Sequence, residues 1–103
     1  MIILVMADTK VVDDSFTLSP KRGNGVLRRE VWVDKAGKVI RYNLAYVHHG
    51  ICQRDNGRVV GYDNAHGLHH RHYMGKVEPV AFVSFEDIEA RFEEDWTKFR
   101  RKK

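Results

Sequence analysis

Five apolar side chains near the C-terminus, Phe85, Ile88, Phe92, Trp96 and Phe99, recur at intervals of three and four residues. On a helix of about 3.6 residues per turn they fall within an arc of roughly 80°. A helix with so concentrated an apolar stripe draws its stability from whatever covers that stripe rather than from intrinsic propensity. The chain must therefore supply a complementary apolar surface elsewhere. Ser84, followed three residues later by Asp87, resembles a capping box that starts the helix. Acidic residues come early (Glu86, Asp87, Glu89) and basic ones late (Lys98, Arg100, Arg101), matching the helix dipole at ~0.3–1 kcal/mol each. These charges have a structural explanation without any ligand, and an aromatic stripe of this kind is more often core than cofactor box.

The covering surface is a sheet. Residues 27–34 (LRREVWVD) partly alternate in polarity and are rich in β-branched and aromatic side chains. Lys35-Ala36-Gly37-Lys38 then supplies a turn into a second run, residues 39–48. In that run Ile40, Tyr42, Leu44 and Tyr46 share one parity and are expected to face the core. His48 continues the inward parity and His49 the outward one. Gly50 breaks the strand, residues 51–54 are expected to resume it, and Asp55-Asn56-Gly57 forms a turn suited to positive φ. Residues 58–63 (RVVGYD) return antiparallel. Asn64 to Leu68 turns again, with Gly67 at a positive-φ position, and residues 69–74 pair back. Residues 80–83 form a further short apolar strand before the helix. At the front, residues 1–7 (MIILVMA) are expected to form a strand, and residues 18–25 (LSPKRGNG) connect a short N-terminal element to the main sheet. The fold class is α+β: a mostly antiparallel β-sheet packed against one long C-terminal α-helix. One helix is too narrow for five or six strands, so part of the sheet is left for a partner subunit, as in a homo-oligomer.

With 103 residues, 43% of them hydrophobic, the chain has enough material for one modest core and reads as a single domain, residues 1–103. A net charge of +4 and an isoelectric point near 9.4 favour an anionic partner such as nucleic acid. Five of the last six residues are Lys or Arg, however, and supply much of that excess. The single cysteine, Cys52, excludes an intramolecular disulfide and fits a reducing cytoplasm. No apolar run approaches the length of a membrane span.

The chemistry concentrates between Gly61 and Gly75 (GYDNAHGLHHRHYMG), where four of the six histidines, His66, His69, His70 and His72, fall within seven residues. Histidine titrates near neutrality and is the commonest metal ligand. If the segment pairs as a strand, His70 and His72 share one face and His69, Arg71 and Tyr73 the other. Three mechanisms fit. In metal-free RNA cleavage one imidazole removes the 2′-hydroxyl proton, another protonates the leaving 5′-oxygen, and Arg71 stabilises the phosphate. Tyr62 or Tyr73 then bonds or stacks on a base. In a metal site, His70, His72, Asp63 and His66 are the ligands, although no standard metal motif is present and no cofactor is called for. In the third, the histidines and Arg71 bond to Asp63, Asn64 and the backbone to hold an irregular turn. Asn64 fits a turn former whose side chain bonds backbone.

The run GYDNAHGLHHRHYMG, preceded by YNLAYVHHG and followed by a helix opening SFEDIEARFEEDW, resembles the TumE family of small bacterial toxin-antitoxin proteins. That family's pattern is a Tyr-Asp-Asn step, a Gly-containing turn, His-Arg-His and a closing helix with phenylalanines. Here it matches Tyr62, Asp63, Asn64, Gly67, His70, Arg71 and His72, with Tyr42, Leu44, Tyr46 and Val47 upstream and Phe82, Ser84 and Phe92 downstream. The resemblance covers roughly residues 27–96. Residues 8–24 show no distinctive match, and His69 stands where the family often carries an acidic residue. The resemblance implies a toxin encoded beside a helix-turn-helix antitoxin, with growth inhibition as its effect.

The leading expectation is a cytoplasmic toxin of a toxin-antitoxin pair acting on RNA. His70 and His72 are the acid/base pair, Arg71 the phosphate contact and Asp63 the orienting carboxylate, with Tyr62, Asn64, His69 and Tyr73 as binding residues. The alternative is a non-catalytic module that binds protein or nucleic acid, its His-rich hairpin being structural. A metal-dependent hydrolase stands third.

Overall fold

A computed structural model of the protein describes residues 8–100. Six strands, β1 (Thr9–Thr17), β2 (Val26–Val33), β3 (Val39–Val47), β4 (Arg58–Asp63), β5 (His70–Tyr73) and β6 (Lys76–Pro79), precede one helix, α1 (Phe85–Arg100). The strands form a single sheet in chain order, each antiparallel to the next. This is the α+β arrangement expected from the sequence, while the strand expected over residues 1–7 lies outside the described residues.

Helix α1 crosses the sheet over β3 and β4 through a row of aromatic contacts. Phe85 meets Tyr42 (ring centroids 5.5 Å apart), Phe92 meets Tyr62 edge-on (6.5 Å), Trp96 meets Tyr46 (5.7 Å), and Phe99 meets both Tyr46 (6.2 Å) and Tyr73 (5.9 Å). Such ring pairs add about 0.5–1.5 kcal/mol beyond the area they bury. Tyr42, Leu44 and Tyr46 are buried on β3 as the alternation requires, against Val60 and Tyr62 of β4 and Ile88 of the helix. Burying a side chain such as Ile88 contributes about 1.5–3 kcal/mol. The helix starts where expected: the Asp87 amide donates to Ser84 Oγ at 3.0 Å.

The sheet departs from the sequence reading in three places. Residues 9–17, with Asp13 and Asp14 at their centre, form a nine-residue edge strand. Residues 51–54 form no strand: the amides of Ile51 and Cys52 both donate to the His48 carbonyl at 3.0 Å, closing a turn, and the His48 amide donates to Gly57. Residues 80–83 are also unpaired as a ladder; the last strand is Lys76–Pro79, after a turn at Met74 and Gly75 with φ of 51° and 87°. The Val80 amide makes one bond to the His69 carbonyl, and Phe82 instead stacks on the His69 ring at 4.1 Å.

Because α1 lies over β3 and β4, the helix side of β1 and β2 is open. Phe16 is 54% exposed there. A groove of about 680 Å³ runs between these strands and α1, lined by Phe16, Leu27, Phe92 and Trp96 and rimmed by Asp14 and Glu89. The opposite face of the sheet carries no helix and presents mainly polar side chains.

Candidate functional site on the open face of the sheet

The antiparallel register decides which motif residues meet. Gly61 pairs with His72 and Asp63 with His70, while Tyr62 pairs with Arg71 and Val60 with Tyr73. Since side chains alternate across a sheet, His70, His72 and Asp63 emerge together on the open face, and Arg71, Tyr62 and Tyr73 point toward the helix. The turn before β5 holds His66 at φ 63° and Gly67 at φ 81°, and leaves the His66 ring apart from the pair.

On the open face His72 Nε2 donates to Asp63 Oδ2 at 2.9 Å, because a carboxylate only accepts. His72 Nδ1 faces the Asp55 carboxylate at 3.4 Å. His70 Nδ1 lies 3.9 Å from the other Asp63 oxygen, and the two imidazoles are 6.5 Å apart between ring centroids. Arg58 joins this cluster with bonds of 2.8 and 3.1 Å to Asp55 and one of 3.5 Å to Asp63.

Arg58 and Asp55 were not among the residues singled out from the sequence. Strict alternation back from Tyr62 and Val60 would aim Arg58 at the helix. The β3–β4 register shifts, however: Tyr46 pairs with Val60 but Val47 pairs with Arg58, so Val59 is an extra residue in β4. Such a bulge re-aims the neighbouring side chain. Arg58 then lies flat over Gly61, where a Cβ would come within 2.6 Å of Arg58 Cδ, so the absent side chain provides its seat. Asp55 is brought in by the turn at residues 55–57, where Asp55, Asn56 and Gly57 all have positive φ (52°, 55° and 82°). Asp and Asn tolerate that region better than other non-glycine residues.

The remaining motif residues build the frame. Arg71 Nε donates to Asp95 on α1 (2.9 Å) and to the Tyr62 hydroxyl (3.1 Å), its Nη1 pairs with Glu78 (2.8 Å), and its guanidinium lies 4.4 Å from the Tyr73 ring centre. Tyr62 donates to the same Asp95 oxygen at 2.7 Å. Burial, and then the adjacent Asp95, push the Tyr62 hydroxyl well above its ordinary pKa. The structure thus brings His70, His72 and Asp63 together and sets Arg71 on the other side of the sheet, where it ties helix to strand.

Asn64 is likewise internal. Its Oδ1 accepts from the Tyr42 amide and its Nδ2 donates to the Ile40 carbonyl, both at 2.9 Å, so the side chain extends the β3–β4 ladder by one step. His69 is stacked on Phe82, and its Nδ1 is hydrogen-bonded to the Tyr42 hydroxyl at 2.8 Å. Burial, helped by His70, lowers the His69 pKa. Burial and then Asp63 push Tyr42 up to about 12.

Residues 6–102 match the model of the family described as Toxin TumE. The chain belongs to the TumE toxin family. The match spans nearly the whole chain, including residues 8–24 in front of the recognisable motif, and makes the protein a toxin component of a toxin-antitoxin system, with an antitoxin partner. No curated protein and no solved structure matches the chain. The TumE motif is thereby divided between two faces: its two histidines and Asp63 face outward, and its Arg71 and Tyr62 face the helix.

Among the described residues no group of three or more His, Cys, Asp or Glu side chains has the geometry to hold a metal ion, and no helix is long and apolar enough to cross a membrane. His70, His72 and Asp63 meet on the open face without forming such a group, and no contact among the described residues joins His66 to them.

Proposed function

We propose that this TumE-family toxin arrests growth in the cytoplasm by cleaving RNA on the open face of its sheet, and that its antitoxin carries a helix-turn-helix domain. The observation that carries the reading is the pair of imidazoles 6.5 Å apart on one face, with Asp63 between them and a guanidinium beside them. That spacing lets a phosphate laid over the face meet a base on one side and an acid on the other.

His70 acts as the base. It takes the proton of the 2′-hydroxyl as that oxygen attacks the adjacent phosphorus. His72 acts as the acid, giving a proton to the 5′-oxygen as the phosphorus–oxygen bond breaks. The products are a 2′,3′-cyclic phosphate and a free 5′-hydroxyl, with no net gain or loss of protons. Asp63 anchors His72 through Nε2, so Nδ1, which faces Asp55 at 3.4 Å, is the nitrogen that serves the 5′-oxygen once the substrate phosphate displaces Asp55. Arg58, rather than Arg71, supplies the cation for the developing phosphorane charge.

The test is cleavage of single-stranded RNA by the purified toxin with and without chelator, with end-group analysis of the products. Cyclic phosphate ends, insensitivity to chelator and loss of cleavage in His70→Ala and His72→Ala are the expected results. Intact RNA after prolonged incubation with toxin that still arrests growth would overturn the proposal.

A further inference from the structure

Next to the histidines the open face has a second cluster, built on β2 and β3. Trp32 stands between two cations: Lys10 Nζ lies 4.9 Å from its ring centre and the Arg41 guanidinium 4.7 Å. Lys10 is committed to Asp13 (3.0 Å) and Glu30 (2.8 Å). Arg41 is exposed and makes no ion pair among the described residues. A guanidinium held against an indole is a flat, positively charged surface of the kind on which unstacked bases lie in protein–RNA complexes.

A cavity of about 120 Å³ adjoins this surface, lined in part by Glu30, Trp32, Arg41, Asn43 and Asp63. Glu30, Asn43 and Asp63 bring acceptor oxygens to its lining. Asn43 Nδ2 donates to Glu30 Oε1 at 3.1 Å, which turns Asn43 Oδ1 the other way, where it is buried and accepts no hydrogen bond. Buried polar atoms are ordinarily paired; Asn43 lines the cavity, so a small rotation of its side chain would offer this orphaned acceptor to a donor supplied from outside. Asp63 also lines the cavity and holds His72, so the cleft and the acid/base pair share one carboxylate.

We propose that this cleft is a base-binding subsite selective for guanine in single-stranded RNA. The base stacks on Arg41 beside Trp32 and turns its N1–H and N2–H₂ edge toward Asn43 Oδ1 and Glu30. Guanine is the base that offers two adjacent donor groups on that edge; uracil, cytosine and adenine each present a single donor group there with an acceptor next to it, and that acceptor would face the Glu30 carboxylate or Asn43 Oδ1. The subsite rests on the RNA-cleaving reading, because it places the phosphate next to the bound guanosine toward His70 and His72.

Trp32 makes the proposal measurable, since the only other tryptophan, Trp96, is on the buried face of α1. Tryptophan emission is titrated with uridine oligoribonucleotides containing or lacking one guanosine, using His72→Ala to prevent turnover. The guanosine-containing strand is expected to quench the emission and to saturate at a concentration at least about tenfold lower. Trp32→Phe removes the quench, Arg41→Ala weakens binding of both strands, and Asn43→Leu abolishes the preference while leaving uridine binding in place. Equal binding of the two strands, or a guanosine preference that survives Asn43→Leu, would overturn the subsite. The two readings separate cleanly: efficient cleavage by wild-type toxin with no base preference removes the subsite alone. Guanosine-dependent quenching with no cleavage supports the subsite and removes the nuclease.

Discussion

The Asp55 carboxylate lies 3.4 Å from His72 Nδ1 and is also held by Arg58 at 2.8 and 3.1 Å. One side-chain anion thus occupies the position between a guanidinium and an imidazole that a substrate phosphate would need. Asp55→Asn is expected to lower the KM for RNA by roughly three- to tenfold, with a smaller change in kcat, because the competing charge is gone. Asn also tolerates the positive φ of residue 55. Steady-state cleavage kinetics of the two proteins check this, and a higher KM in the variant would show that Asp55 helps rather than competes.

His70→Ala and His72→Ala are each expected to reduce cleavage by about 10²–10⁴-fold, the usual weight of a positioned acid or base. Both variants should relieve growth arrest on induction. Circular dichroism and thermal melting close to those of the parent are required for the result to count, because His72 is only 12% exposed and bonds Asp63. Full growth arrest by both would end the assignment.

Arg71 should behave differently from its histidine neighbours. Its removal leaves the Asp95 carboxylate and the Tyr62 hydroxyl without their shared donor beneath α1. Hydrogen bonds to charged groups contribute about 1.5–3 kcal/mol each. In a domain of this size, a loss of about 1 kcal/mol lowers Tm by roughly 4–8 °C. Arg71→Met is therefore expected to melt at least several degrees lower while retaining kcat in the folded fraction. An unchanged Tm with abolished cleavage would instead put Arg71 into the chemistry.

The Tyr42–His69 pair predicts how stability varies with pH. Burial, aided by His70, holds the His69 pKa below its ordinary 6.5 in the folded protein. As pH falls through that value the unfolded chain takes up the proton first, so stability decreases toward the lowered folded pKa and is unaffected above it. Tyr42 is pushed by burial, then Asp63, up to about 12 from 10.0. Its contribution is present below pH 10.0 and is lost as pH rises from there toward about 12. His69→Phe, which keeps a ring against Phe82, should show a smaller drop in Tm between about pH 7.5 and about pH 5 than the parent. An equal drop would place the acid sensitivity elsewhere.

Regular alternation made the middle of the fold legible. Tyr42, Leu44 and Tyr46 announce the buried face of β3, and the period of Phe85, Ile88, Phe92 and Trp96 announces the helix. The parity of residues 69–73 also separates Arg71 from His70 and His72, and the observed pairing of Asp63 with His70 agrees. Strand β1 was hidden because Asp13 and Asp14 put charge on both faces, which an edge strand tolerates. Strand β6 is four residues long and ends in a proline, too brief for a pattern. Arg58 escaped because its direction depends on an extra residue at Val59, a register property of two strands that neither strand's own sequence displays. Asp55 escaped for a related reason: the positive-φ turn at residues 55–57 is legible, but its approach to His72 depends on the pairing of β4 with β5.

The sheet is arranged so that each strand pairs with the one before it in the chain. During synthesis every ladder can close as soon as its second strand leaves the ribosome, with short loops and little closure entropy at each step. The helix that covers Tyr42, Leu44, Tyr46 and Tyr62 follows all six strands in the chain. Sheet pairing that precedes the helix would leave the aromatic face bare, and the open-face histidines, set by the β4–β5 ladder alone, would reach their register before the core is sealed.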